Sequence, residues 1–130
     1  MSALILLAED HEANRKVLCR RLERRGYKML EAADGEEAVT RFQEQTPDLV
    51  LMDLSMPIMD GVEALKQIRK HATAANIPIV ALTAHAMDDM RSECAAAGFD
   101  DFATKPIDFE ELLNMIRRLI PSESLIARSQ

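Results

Sequence analysis

The run DLVLM (48–52), followed at once by Asp53, decides how this chain folds. Leu49 to Met52 are apolar without alternation, and the run is too short for a helix. Such a segment fits a parallel strand covered on both faces. A polar residue then stands where the strand ends. The same arrangement recurs three times: ALILLA (3–8) before Glu9-Asp10, IPIVAL (77–82) before Thr83, and DFAT (101–104) before Lys105.

Amphipathic stretches separate these runs. The periodicity predicts strand 3–8, helix 12–25, strand 27–32, helix 35–45, strand 48–52, helix 61–71, strand 77–83, helix 87–97, strand 100–104 and helix 108–120. Five βα units in alternation imply an α/β fold, a five-stranded parallel sheet with helices on both faces. Local signals agree. Asp34, Asp60 and Asp108 each precede a glutamate by three residues, which marks helix starts. Gly26 and Gly98 follow helical runs where a left-handed residue is expected. Phe109, Leu112, Leu113, Ile116, Leu119 and Ile120 form a stripe at helical spacing, and Pro121 marks its end.

The chain has 130 residues, 48% of them hydrophobic, enough for one domain with its own core. The expected organisation is one domain over 1–121 and a short polar tail or linker start over 122–130. No apolar run approaches the roughly 20 residues needed to span a bilayer. No basic stretch precedes ALILLA, so it reads as a strand, not an export signal. These features point to the cytoplasm. Cys19 and Cys94 both fall in helical stretches and are read as free thiols, although a disulfide is also open. A net charge of −6 disfavours direct nucleic-acid binding.

In an open parallel sheet, ligands bind beyond the carboxyl ends of the strands. Glu9, Asp10, Asp53, Thr83 and Lys105 would meet there. Three carboxylates in one cleft repel one another, and a hard divalent cation with oxygen ligands relieves this. Glu9, Asp10 and Asp53 are the predicted ligands of Mg²⁺, with the backbone carbonyl near Ser55 as a possible fourth. Carboxylate oxygens alone do not separate Mg²⁺ from Mn²⁺, and no His/Cys spacing suits zinc. Asp53 could serve as a nucleophile that forms an aspartyl phosphate. Lys105 would add positive charge and Thr83 a hydrogen bond. Pro106 follows Lys105, where a cis bond would return the lysine to the cleft.

Each residue alone has a plainer explanation. Asp53 could be a turn residue, Glu9-Asp10 could cap helix 12–25, Thr83 could cap the helix after it, and Lys105 could be solvated. Four coincidences at four adjacent strand ends outweigh these. Pro57 and Gly61 read as turn chemistry, and Met56 and Met59 as packing. His85 reads as a surface or second-shell residue. His11 and His71 have no evident partner and are expected to be exposed.

AEDHEAN (8–14), DLVLMDLSMPIMDG (48–61), ALTAHAM (81–87) and GFDDFATKPI (98–107) resemble the receiver domain of two-component response regulators over about residues 4–120. The resemblance implies a flavodoxin-like sheet of order 2-1-3-4-5 with five helices. In that order strand 2, at the edge, contributes no site residue. It also implies that Asp53 is the phosphoacceptor, Glu9 and Asp10 the Mg²⁺-binding pair, Thr83 the switch hydroxyl, Lys105 the phosphoryl-binding lysine and Phe102 the aromatic switch position. The family often has Asp-Asp where this chain has Glu-Asp, and often Tyr where it has Phe102. AEDHEANRKVL and ALTAHAM are similar to receivers of hybrid histidine kinases and phosphorelays.

The expected function is therefore a phosphorylation-dependent signalling switch and not a conventional enzyme, with self-phosphorylation and autodephosphorylation as its intrinsic chemistry. The phosphodonor is expected to be a histidine kinase or phosphotransfer domain docking near helix 12–25, by Ala13, Asn14 and Val17. An effector protein is expected downstream. Ser55 and His85 are expected to flank the cleft and tune hydrolysis. The alternatives are a Mg²⁺-dependent aspartyl-nucleophile phosphatase, a flavodoxin-like cofactor binder and a docking module. The phosphatase would want a second Asp where this chain has Ser55. The cofactor binder would want a small-residue phosphate loop where this chain has EDHE. The chain is either a stand-alone receiver or a piece of a larger protein.

Overall fold

The computed structural model describes residues 3–71, 76–84 and 95–120. Its elements run β1 (Leu4–Ala8), α1 (Glu12–Arg24), β2 (Lys28–Ala32), α2 (Gly35–Glu44), β3 (Leu49–Asp53), α3 (Gly61–Arg69), β4 (Ile79–Thr83), β5 (Asp101–Thr104) and α4 (Phe109–Leu119). Residues 95–97 are helical and lead into Gly98; residues 87–94 of the expected helix lie outside the described residues. All strands are parallel, in the order β2-β1-β3-β4-β5.

Strand periodicity sorts the apolar residues into two layers. Leu6, Val50, Met52 and Ala81 face a core with Phe42, Leu65 and Ile68 from α2 and α3. Ile5, Leu7, Leu51 and Leu82 face the opposite core, with Leu22 of α1 and Phe109, Leu113 and Ile116 of α4. The central strands β3 and β4 are buried along their whole length, as unbroken apolarity requires. Met56 and Met59 pack against the α2/α3 core as expected.

The helix starts follow the predicted chemistry. Asp34, Asp60 and Asp108 accept hydrogen bonds from the backbone N–H of Glu37, Glu63 and Glu111. Gly26 and Gly98 adopt φ of 96° and 110°. Two expected boundaries move by two residues, the end of α3, which stops at Arg69 and not at residue 71, and the start of β4. β4 begins at Ile79, not at residue 77, because Pro78 has no N–H to offer and the Ile79 N–H is taken by the Asp100 carboxylate at 2.7 Å.

Two expectations are corrected. His11 is exposed but not without a partner: it is the N-cap of α1, its Nδ1 accepting from the Asn14 N–H at 3.4 Å. His71 is half-buried, lies 3.1 Å from Gln43 Nε2 and tilts against the Phe42 ring. Cys19 is a free, buried thiol, while Cys94, Pro121 and the tail lie outside the described residues. No described helix is long and apolar enough to cross a membrane.

Candidate functional site

The sheet gathers its site residues at one edge. Asp53 is the last residue of β3, and its register partner on β4 is Leu82, one residue before Thr83. Thr83 pairs with Thr104, and Lys105 follows; the Lys105 N–H donates to the Thr83 carbonyl at 2.7 Å. Glu9 follows β1, its N–H bonded to the carbonyl of Ala32 on β2 at 3.0 Å. Glu9, Asp53 and Thr83 are buried, whereas Asp10 is exposed.

One ammonium joins the two buried carboxylates. Lys105 Nζ donates to Asp53 Oδ2 at 2.6 Å and to Glu9 Oε2 at 3.0 Å. The other oxygens are held by main chain: Ser55 N–H donates to Asp53 Oδ1 at 3.0 Å, and His11 N–H to Glu9 Oε1 at 3.3 Å. The Lys105-Pro106 bond is cis. The lysine is thus not a solvated surface residue, and the acidic pair does not cap α1, since His11 does.

The electrostatics match this packing. Burial, and then the neighbouring Asp53, push the Glu9 carboxyl above its ordinary range despite Lys105. Burial opposes the charge on Lys105, but hydrogen bonds to Asp53 and Glu9 outweigh it and raise its pKa. The ammonium therefore stays charged between two acids.

Carboxylate oxygens of Glu9, Asp10 and Asp53 lie within 4.8 Å of one another. An all-oxygen cluster with unfavourably desolvated charge fits a hard divalent cation. Lys105 already shows that positive charge is accommodated there.

Gly61, at the start of α3, has a role beyond turn chemistry. A Cβ at this position would collide with the backbone carbonyl of Asp53. The structure also brings in two residues that sequence reasoning passed over, Arg15 and Glu31. Arg15 Nη1 donates to the Glu9 carbonyl at 2.9 Å, and its Nε to Glu31 Oε1 at 3.0 Å. No local signal joins a residue of α1 to one of β2.

Other expected residues surround the cleft. Ser55 is exposed beside Asp53. Phe102 is partly buried, on the α2/α3 side of β5. Pro106 lines a groove of about 300 Å³ with Glu9, Asn14, Val17 and Lys105. His85 lies outside the described residues.

The response regulator receiver domain family matches residues 5–117. A peroxide stress-activated histidine kinase, mak1, of Schizosaccharomyces pombe is 39% identical over 122 residues, which is 89% of this chain and 7% of that protein. The phosphate regulon transcriptional regulatory protein PhoB of Escherichia coli is 33% identical, over 92% of this chain and 52% of its own length. The chain thus spans about half or less of these curated relatives. Among solved structures, the receiver domain of a sensor histidine kinase from Pseudomonas aeruginosa PAO1, with a magnesium ion coordinated in its active-site cleft, superposes with a TM-score of 0.85. It is 37% identical, and the match covers 92% of this chain and 98% of that one. The chemotaxis protein CheY4 of Vibrio cholerae gives 0.87 at 30% identity, covering 92% and 99%.

Proposed function

The chain belongs to the response regulator receiver domain family of two-component and phosphorelay proteins, and on that premise we propose that Asp53 is its phosphoacceptor. The observation that carries this is the Lys105 ammonium shared between the buried Asp53 and Glu9 carboxylates. It is a preformed place for positive charge beside a nucleophilic oxygen.

The donor is a phosphohistidine on a kinase or phosphotransfer protein. An Asp53 carboxylate oxygen bonds to phosphorus as the P–N bond breaks, and the electron pair leaves with the imidazole. Lys105 then pairs with the phosphoryl group, and the Thr83 hydroxyl turns to it. Glu9, Asp10, Asp53 and the Ser55 backbone carbonyl are the residues that would hold Mg²⁺, and Mn²⁺ by the same oxygen chemistry. Bound there, the cation neutralises charge on the transferring phosphoryl oxygens.

Phosphorylation adds a charge of about −1.5 to −2 next to β4 and β5. Thr83 and Phe102 relay this to the surface that an effector protein reads. Ser55 and His85 tune access of the hydrolytic water. The groove beside α1 receives the donor, with Ala13, Asn14 and Val17 at its contact. Val17, 55% exposed, is one of two large apolar side chains so exposed among the described residues. Residues 1–121 form the receiver unit, which works in the cytoplasm, where ATP supplies the kinase.

Acetyl phosphate with Mg²⁺ should add one phosphate by intact mass, and Asp53→Asn should abolish it. Retention of the added mass in Asp53→Asn would sink the assignment. Bulky charged residues at Asn14 or Val17 should slow transfer from a phosphohistidine protein and leave acetyl phosphate labelling intact.

A further inference from the structure

Among the described residues, the exposed member of the acidic pair has no partner of its own. Asp10 accepts no hydrogen bond and makes no ion pair with any described residue. What aims its carboxylate is the peptide on which it stands, the one joining Glu9 to Asp10. That peptide's carbonyl oxygen, on Glu9, accepts from Arg15 Nη1 at 2.9 Å.

Arg15 is itself fixed. Its side chain keeps only 12% of its surface, and its Nε donates to Glu31 Oε1 at 3.0 Å. Lys16 Nζ holds the same carboxylate at 3.1 Å. Glu31 sits on β2, adjacent in the sheet to β1, from which the loop leaves. The Glu9 N–H is tied to β2 as well, through Ala32. Both hydrogen-bonding groups of the Glu9 main chain therefore lead back to the edge strand, one directly and one through a guanidinium.

We infer that Arg15, backed by Glu31, is a positioning residue for cation binding: it fixes the Glu9–Asp10 peptide so that the unpartnered Asp10 carboxylate faces the Glu9 and Asp53 oxygens. This rests on reading Glu9, Asp10 and Asp53 as the cation site. A planar, forked donor can serve a carboxylate and a carbonyl at once; a lysine ammonium at the end of a flexible chain does not reproduce that geometry.

The sign of the effect separates positioning from charge. Arg15 is a cation near a cation site, so by Coulomb's law its removal favours Mg²⁺ binding. Loss of positioning does the opposite, by about tenfold in affinity, as for other outer-shell partners of metal ligands. The experiment is calorimetric titration of Mg²⁺ into the whole chain for wild type, Arg15→Gln, Arg15→Lys and Asp10→Asn, with folding checked by circular dichroism. The expected result is a dissociation constant about tenfold higher in both Arg15 variants. Arg15→Lys keeps the charge, so its loss of affinity cannot be electrostatic, and it decides the matter alone if Arg15→Gln does not fold. Affinities within twofold of wild type in the Arg15 variants, or tighter binding by Arg15→Gln with Arg15→Lys unchanged, overturn the inference. Failure of the cation-site reading looks different: wild type itself would take up no Mg²⁺, or Asp10→Asn would bind as wild type does.

Discussion

Lys105 Nζ lies 2.6 Å from Asp53 Oδ2, although 52 residues separate them in the chain. The pair places a positive charge against the carboxylate that is proposed to take up phosphate. It also makes the cleft dependent on the lysine for its own stability.

Lys105→Met should therefore destabilise the metal-free fold. Breaking a fully buried ion pair costs roughly 3–5 kcal/mol. Lys105 keeps 30% of its side-chain surface, so screening reduces this to about 2 kcal/mol. Urea unfolding at pH 7 measures it, and Mg²⁺ should shrink the difference by supplying charge in the lysine's stead. In wild type the lysine's raised pKa means that its contribution is intact below pH 10.5 and fades as pH climbs through the folded-state value.

Glu9→Gln should do the reverse. The Glu9 pKa is raised chiefly by burial. Above pH 4.5 the folded state keeps a proton that the unfolded chain releases, so the ionised form costs stability once pH exceeds both values. Near neutrality Glu9→Gln should raise the urea midpoint of the metal-free protein and weaken Mg²⁺ binding. A lower midpoint would contradict the desolvation argument.

Gly61→Ala should cost about 1–3 kcal/mol, the usual range for overpacking. The added Cβ meets the carbonyl of Asp53, which is backbone and cannot rotate away. Labelling by acetyl phosphate should slow in the same variant, because the strain falls on the residue proposed to react. Unchanged stability together with unchanged labelling would show that the contact is loose.

Ile58 is 77% exposed and sits at φ 69°, where a β-branched residue is strained. The left-handed conformation costs roughly 1–2 kcal/mol, while glycine's extra chain entropy costs about 0.5–1. Ile58→Gly should therefore raise stability by about 0.5–1 kcal/mol. Thermal unfolding checks the sign.

Burial, with Glu31 and Glu23 adding to it, pushes the Cys19 thiol up to about 12. In a Cys94→Ser background, iodoacetamide at pH 8 should label Cys19 slowly until urea unfolds the chain. Stability tied to this thiol is present below pH 9 and is lost as pH rises towards 12, because only the unfolded chain ionises early. Labelling of the native protein at the rate of a free thiol would refute the burial.

Much of the fold was legible because its signals are local. Continuous apolarity marked β3 and β4, and an Asp with Glu three residues on marked α2, α3 and α4. The misses have two causes, an uncommon local cap and contacts distant in sequence. His11 was read without a partner because imidazole is an uncommon cap, and only the backbone geometry at Asn14 shows it acting as one. His71 was missed because its neighbours, Gln43 and Phe42, belong to α2, far from it in the chain. Strand 2 was expected to add nothing to the site. Its Glu31 never enters the cleft, yet through Arg15 it reaches the main chain of Glu9.

By itself the sequence determined which chemical groups stand at the strand ends, since the order of apolar runs, polar ends and caps acts over a few residues. Tertiary structure decided that Glu9 and Lys105, 96 residues apart, share a hydrogen bond, and that Arg15, itself held by Glu31 of β2, grips the Glu9 carbonyl. Such distances are set by strand register and by the packing of helices on two faces of one sheet, which depend on every layer at once and are written in no single stretch of the chain.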